Sequence, residues 1–337
     1  MFYDIDRRKF KRIERRTEPM VKILIAFPLD DVYVSRIDEI EGVDAVKATE
    51  HQSILKEIED AEVLYAFRIT EEEFLKAKKL LWIHSPFVGV DSLLIDPVRK
   101  GNVTVTCSRG IHASQASDHV FALILAFARR LPELLRDQKR RKWKPRHPFP
   151  FEPLDELQDK TLGIIGLGSI GREVARKGKC FGMKVAGVKN TRSHLEHVDE
   201  IYSPENLERV LDQSDFLVVC VPLTKETAGM IGEKELRKMK RTSYLINIAR
   251  GGVVDENALI KALRNGWIAG AALDVAEHEP LPESSELWDF DNVIITPHVA
   301  GSTPHYWDRA VSIFMENLKR FLSGKELMNV VDKNRGY

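Results

Sequence analysis

The sequence predicts an α/β protein of two parallel-sheet domains, one inserted in the other. Three observations carry this reading. Short apolar, β-prone segments alternate with amphipathic helical ones along nearly the whole chain. Two such alternations are separated by a long apolar helix at about 112–130, and a second long helix at about 303–322 closes the chain. A glycine motif of the form G-x-G-x-x-G opens the second alternation at a strand-to-helix turn.

In the first alternation, strands are predicted at 21–27, 63–66, 80–84 and 103–106, and helical patterns at 32–40 and 54–58. Thr70 and Glu73 in "TEEEF" have the spacing of a capping box. In the second, strands are predicted at 161–166, 184–188, 216–219, 244–248, 268–273 and 293–296. The proline-rich "KWKPRHPFPFEPL", 142–154, reads as a linker or surface wrap. The expected division is 20–107 with 303–337 as one domain and 108–302, which carries the glycine motif, as the other. Ligands are expected in the cleft that this arrangement creates.

Bulk properties exclude several classes. Lys plus Arg number 51 and Asp plus Glu 51, so the formal net charge is zero. That gives no general attraction to nucleic acid or anionic membrane. No apolar run approaches bilayer length, and the N-terminus has no signal-peptide core. A cytoplasmic location is expected. Cys107, Cys180 and Cys220 are scattered without a Cys-x-x-Cys pair, so buried free thiols are expected and a metal centre is not. Residues 1–19, "MFYDIDRRKFKRIERRTEP", are basic and poor in core residues. They are expected to form a poorly ordered tail; a contact arm, or an extension upstream of a natural start at Met20, are the other readings.

In "TLGIIGLGSIGREVARKGKCFGMKVAGVKN", 161–190, Gly166, Gly168 and Gly171 follow a strand and enter a helix. Glycines there let backbone amides approach a pyrophosphate, and the helix N-terminus adds partial positive charge. The domain at 108–302 is therefore expected to bind a dinucleotide. An NAD site ordinarily carries Asp or Glu after the second strand. Here the chain reads Lys189, Asn190, Thr191 and Arg192, which suits a 2′-phosphate and favours NADP(H) over NAD(H). Alternatively, Lys189 and Arg192 are merely solvated.

Three later strand ends bring reactive side chains. "LINIARGGVVDENAL", 245–259, delivers Arg250 at the end of a strand. Gly251 and Gly252 are expected to turn the chain with unusual backbone angles, and Asp255 to cap the next helix. A plain surface turn is the alternative. "LDVAEHEPLP", 273–282, supplies Asp274, Glu277 and Glu279, and "ITPHVAGST", 295–303, supplies His298. For carbonyl reduction, His298 donates the proton, Glu279 orients the imidazole and favours its cation, and Arg250 holds a carboxylate or carbonyl. His278 and His305 are the competing histidines.

With these motifs in order, the chain resembles the D-isomer-specific 2-hydroxyacid dehydrogenases over nearly all of residues 20–337. The resemblance rests on "GIIGLGSIG", "VCVPLTKET", "INIARGGVVDENAL", "GAALDVAEHEPLP" and "ITPHVAGSTP". It implies that both domains are Rossmann-like and doubly wound, with 20–107 and 303–337 as substrate domain and 108–302 as dinucleotide-binding domain. It implies substrate binding by Arg250, a Glu279–His298 acid/base pair, and Asp274 near the nicotinamide carboxamide. It also implies that the backbone amides of Val88 and Gly89, in "FVGVD", bind the substrate carboxylate. Further cofactor contacts are implied at Ser169, Ile170, Val221, Pro222, Thr227, Ile248, Ala249 and Gly301. A 2-oxo/2-hydroxy acid substrate and a homodimer are the implied partners. Glyoxylate and hydroxypyruvate reductases of the family often take NADPH, in line with the "KNTR" reading. Glu279 argues against formate dehydrogenase, which carries glutamine there. The alternative is a dinucleotide-sensing binding protein resembling the C-terminal-binding-protein corepressors. Phe87, Trp143, Tyr306 and Trp307 are either walls for the substrate side chain or packing residues.

Overall fold

The structure is a computed structural model that describes residues 20–143, 154–190 and 194–336. Residues 1–19, most of the proline-rich segment, Thr191 and Arg192 lie outside the described residues. The chain divides into two compact units, one ending at Arg109 and resuming at His305, the other Gly110–Pro304.

The first unit runs β1 (Val21–Ile25), α1 (Asp31–Asp38), β2 (Val43–Lys47), α2 (His51–Glu57), β3 (Val63–Tyr65), α3 (Glu71–Lys76), β4 (Trp82–Ser85), α4 (Asp96–Lys100) and β5 (Thr104–Cys107). Its five strands lie in the order β2-β1-β3-β4-β5, all parallel. Alternation places Leu24, Leu64, Ile83 and Val105 in one buried cluster, and Ile23, Ile25, Val63, Tyr65 and Trp82 in the other. Such two-sided burial is what a parallel sheet covered by helices requires. The last helix, α11 (Tyr306–Leu322), packs Val311, Phe314 and Leu318 onto the second face. Beyond it, Val330 bridges Thr106 antiparallel along the free side of β5. The Thr70–Glu73 capping box is present in full at α3.

The second unit contains α5 (Ala113–Ala128), α6 (Leu131–Lys139), β6 (Thr161–Ile165), α7 (Ser169–Cys180), β7 (Lys184–Val188), β8 (Glu200–Tyr202), α8 (Leu207–Gln213), β9 (Phe216–Val219), α9 (Glu233–Lys238), β10 (Tyr244–Asn247), α10 (Glu256–Arg264), β11 (Gly270–Leu273) and β12 (Val293–Ile295). The strand order is β12-β11-β10-β9-β6-β7-β8, again parallel throughout. Leu217 and Val219 face one core, Phe216 and Val218 the other. The winding reverses direction between β6 and β9, the place where doubly wound sheets bind their ligands.

The strands β2 and β8 escaped sequence reasoning. Both lie at the end of a sheet and are of mixed composition, VDAVK and EIY, with most residues half-buried or exposed, so they lack a continuous apolar run. The expectation of buried thiols fails at Cys180, which is exposed at the end of α7; Cys107 is buried and Cys220 half-buried.

Candidate active site

The cradle begins where β6 ends. Gly166 has φ +99°, and a Cβ there would come within 2.9 Å of the Cys220 backbone. A Cβ at Gly171 would overlap the Gly166 carbonyl, so α7 packs against the turn only with glycine at that position. Gly168 is different. A Cβ there would meet nothing within 4 Å, which leaves open space at the N-terminus of a twelve-residue helix. The amides of Ser169, Ile170 and Gly171 have no acceptor inside that helix. Ile170 also packs against the core. Open space facing unpaired amides fits a pyrophosphate.

β7 ends at Val188. The Lys189 amide then donates to the Tyr202 carbonyl at 2.9 Å, and Asn190 is exposed. Across the switch point, Val221 and Pro222 follow β9. The Thr227 hydroxyl donates to the Pro222 carbonyl at 2.6 Å and accepts from the Thr224 amide at 2.8 Å. Thr227 thus shapes this loop.

Asn247, at the end of β10, is buried and holds the next turn on both sides. Its Oδ1 accepts from the Ala249 amide, and its Nδ2 donates to the Arg250 carbonyl, each at 3.1 Å. Sequence reasoning missed it, since an asparagine at a strand end reads as ordinary turn chemistry. Ile248 and Ala249 pack on opposite cores. Arg250 is half-buried, its Nη1 donating to the Ala249 carbonyl at 2.8 Å. Among the described residues its guanidinium meets no carboxylate, so its charge is available to an anionic ligand. The unusual backbone angles expected at Gly251 and Gly252 do not occur; Gly251–Val253 forms a 3-10 turn, and neither glycine has a positive φ. Gly251 is required by proximity instead, because a Cβ would overlap the Ala276 carbonyl. Asp255 caps α10 as expected, accepting from the Ala258 amide at 2.9 Å.

The strands β10, β11 and β12 are neighbours, so Arg250, the Asp274–Glu279 loop and His298 follow three adjacent strand ends. Glu279 Oε2 lies 2.7 Å from His298 Nδ1, while Glu279 Oε1 accepts from the Ala276 amide at 3.2 Å. A carboxylate only accepts, so Nδ1 carries the proton and Nε2 is the ring atom left for chemistry. His298 has φ +53°, an uncommon conformation for a residue with a side chain. Its amide is held by the Asp274 carbonyl at 2.8 Å. The Asp274 carboxylate, 1% exposed, accepts from the Val299 and Ala300 amides at 2.9 Å each and from the Thr296 hydroxyl at 2.6 Å. His119 Nε2 reaches Thr296 Oγ1 at 3.0 Å from α5. Asp274 therefore acts as the clasp of the His298 loop, a role that sequence reasoning did not assign. At the far end of this loop, Gly301 packs so closely that a Cβ would press on His112 at 2.7 Å.

In the first unit, the Val88 and Gly89 amides have no hydrogen-bond acceptor among the described residues. Phe87 and Val88 are exposed, and Gly89 is half-buried. Two adjacent free amides can receive an anion.

Residues 121–300 match the family described as "D-isomer specific 2-hydroxyacid dehydrogenase, NAD binding domain". The chain belongs to the D-isomer-specific 2-hydroxyacid dehydrogenases. It is 36% identical to a glyoxylate reductase of Korarchaeum cryptofilum, covering 93% of this chain and 96% of that one. It is 37% identical to a glyoxylate reductase of Thermococcus litoralis, covering 94% and 98%. A solved D-isomer-specific 2-hydroxyacid dehydrogenase family protein from Aeromonas salmonicida superposes with TM-score 0.83 at 33% identity, over 93% of this chain and 99% of that one. The NADPH-dependent glyoxylate/hydroxypyruvate reductase of Sinorhizobium meliloti, solved with NADP and sulfate, gives 0.82 at 28%, over 94% and 100%. As a member of the D-2-hydroxyacid dehydrogenase family, the chain is an NAD(P)-dependent oxidoreductase that interconverts 2-oxo and 2-hydroxy acids. No helix among the described residues is long and apolar enough to cross a membrane.

Proposed function

We propose that this enzyme reduces a 2-oxo acid to the D-2-hydroxy acid with His298 as proton donor, Glu279 as its partner and Arg250 as substrate anchor. The 2.7 Å contact between Glu279 and His298 Nδ1 carries the reading. Gly166, Gly168, Ser169, Ile170 and Gly171 would hold the dinucleotide pyrophosphate, and Val221, Pro222, Ile248, Ala249 and Gly301 would border the rest. When bound, the reduced nicotinamide supplies the hydride. The chain's own residues supply everything else. Val88 and Gly89 amides hold the substrate carboxylate, and Arg250 holds carboxylate or carbonyl through its planar fork. His298 Nε2 delivers a proton to the carbonyl oxygen as negative charge develops there. Glu279, across the ring, complements the imidazolium that exists before that transfer. In the oxidative direction neutral Nε2 takes the proton back.

NADP(H) is the favoured cofactor. No carboxylate stands in the Lys189–Asn190 stretch after β7, where one would accept from a ribose hydroxyl. The S. meliloti relative is described with NADP, which supports the same choice. The relatives named glyoxylate reductase favour turnover over the dinucleotide-sensing alternative. They also make glyoxylate a candidate substrate. Phe87 lies 5.9 Å from Tyr306 and 6.5 Å from Trp307, ring to ring, so an aromatic patch adjoins the Val88–Gly89 amides. Larger 2-oxo acids would find an apolar wall there. Trp143, 94% exposed and with Leu131 and Leu135 also exposed on α6, is better suited to cover by a second copy in the expected homodimer. A cytoplasmic place of work is in line with three scattered cysteines that form no Cys-x-x-Cys pair.

The test is oxidation of NADPH and NADH, side by side, with 2-oxo acids from glyoxylate and hydroxypyruvate to phenylpyruvate. Turnover with a 2-oxo acid that His298→Ala abolishes supports the reading. Turnover that survives His298→Ala overturns the assignment of the proton donor.

A further inference from the structure

A buried chain of side chains runs through the first unit to the Ser85 peptide, and the Ser85 hydroxyl continues it to the Phe87 amide and the Gly89 carbonyl, which flank the Val88 and Gly89 amides. Trp82 Nε1 donates to Thr106 Oγ1 at 2.8 Å. Thr106 Oγ1 lies 2.6 Å from His84 Nδ1, and His84 Nε2 lies 3.2 Å from Ser108 Oγ. The Ser108 hydroxyl donates to the Ser85 carbonyl at 3.1 Å, as a second donor beside the Ser108 amide, which reaches the same carbonyl at 3.1 Å and the Phe87 carbonyl at 3.1 Å. The Ser85 hydroxyl donates to the Gly89 carbonyl at 3.2 Å and accepts from the Phe87 amide at 3.1 Å. Trp82, His84, Ser85, Thr106 and Ser108 are all closed to solvent.

The proton order follows from the two ends. An indole N–H only donates, so the Thr106 hydroxyl accepts from Trp82 and must pass its own proton to His84 Nδ1. The His84 proton is then on Nε2, where it goes to Ser108 Oγ. Ser108 donates onward to the Ser85 carbonyl, which only accepts. In the reverse order the Thr106 proton has no acceptor among the described residues. Buried polar groups left unpaired are costly, so one order prevails. The rings of Tyr65 and Phe314, each 5.4 Å from the imidazole, leave no place for a counter-ion. His84 stays neutral.

We propose that His84 and Ser108 are positioning residues for substrate binding. Their relay adds a side-chain hold to the backbone one on the Ser85 peptide, and the Ser85 hydroxyl ties together the turn that presents the Val88 and Gly89 amides to the carboxylate. This rests on the proposal that those two amides bind the substrate. The relay touches no reacting atom, so its loss should weaken uniform binding and leave the chemical step alone.

The experiment compares Ser108→Ala, Ser108→Thr and Gly89→Pro in the full-length protein by steady-state kinetics and by cofactor titration. Ser108→Ala should raise KM for every 2-oxo acid by about ten- to a hundredfold, with kcat at saturation and NADPH affinity unchanged. Ser108→Thr, which keeps the hydroxyl, should restore KM. Gly89→Pro removes an amide proton at the site itself. If it leaves KM unchanged, the carboxylate assignment fails. If it raises KM while Ser108→Ala does not, the relay alone fails. Should Ser108→Ala not fold, Ser85→Ala makes the smaller cut at the end of the relay with the same expected KM effect. A 15N spectrum of the wild-type histidines reads the relay directly. His84 should carry its proton on Nε2 from pH 5 to pH 9, a range about the ordinary histidine value. A Nδ1 proton or a titration in that range overturns the proposed order.

Discussion

Glu279 spans two partners, the His298 ring through one oxygen at 2.7 Å and the Ala276 amide of its own loop through the other at 3.2 Å. The carboxylate is thereby anchored before it orients the imidazole. His298→Ala should lower kcat by about 10²–10⁴-fold with little change in NADPH affinity. Glu279→Gln, which keeps a hydrogen bond but not the charge, should fall between wild type and His298→Ala. Equal rates for wild type and His298→Ala would remove that residue from the mechanism.

The cofactor choice is tested at the end of β7. Lys189→Ala combined with Arg192→Ala should weaken NADPH by about tenfold or more and NADH hardly at all, as expected for charge-assisted contacts to a phosphate. Fluorescence titration with both dinucleotides gives the ratio. A matching loss for both would mean that these cations do not read the 2′-phosphate.

Phe87 stands beside the two free amides with one side exposed. Phe87→Ala is expected to lower kcat/KM for phenylpyruvate by about 10–200-fold, the usual range for a lost apolar contact, and to leave glyoxylate within about threefold. A uniform loss on both acids would assign Phe87 to loop packing.

The glycine cradle predicts opposite outcomes for two neighbouring substitutions. Gly171→Ala forces a Cβ into the Gly166 carbonyl, so stability should fall by about 1–3 kcal/mol in chemical denaturation. Gly168→Ala meets no atom within 4 Å, so stability should hold while NADPH affinity drops by about tenfold. Retained affinity in Gly168→Ala would place the pyrophosphate elsewhere.

Two histidines should shape the stability profile in opposite senses. His51 is raised above 6.5, first by its hydrogen bond to Glu73 and then by that to Glu72. Its stabilisation is complete below 6.5 and is lost as pH rises through the raised value. His84 is pushed down to about 3 by burial. Its contribution is complete above 6.5 and is lost as pH falls toward about 3, at up to about 1.4 kcal/mol per pH unit. Urea midpoints of wild type, His51→Gln and His84→Gln at pH 8.5, 7 and 4.5 separate the two. The difference between wild type and His51→Gln should shrink on going to alkaline pH. The difference between wild type and His84→Gln should shrink on going to acid.

Most of the parallel architecture was legible because each central strand is apolar on both faces. Phe216–Val219 reads as four buried residues in a row and is so in the structure. The strands Val43–Lys47 and Glu200–Tyr202 were not legible, since most of their residues are only half-buried or exposed and their composition is mixed. The His298–Glu279 pairing was accessible from the order of motifs. The work of Asp274 was not, because nothing in "ALDV" reveals that its carboxylate closes on amides more than twenty residues later. The role of Gly251 was misread for a related reason. A glycine needed for its angle and one needed for the approach of a distant carbonyl look alike in sequence.

The antiparallel bridge between Val330 and Thr106 has a consequence for solubility. With the Cys107 amide donating to the Asn329 carbonyl at 3.2 Å and the Val331 amide to the Val105 carbonyl at 2.8 Å, the segment after α11 occupies the open hydrogen-bonding edge of β5. Without it, the β-branched and apolar Thr104–Cys107 strand would present unpaired amides and carbonyls to other molecules, the template on which sheets recruit foreign strands. The few residues after the last helix therefore guard the first unit against aggregation.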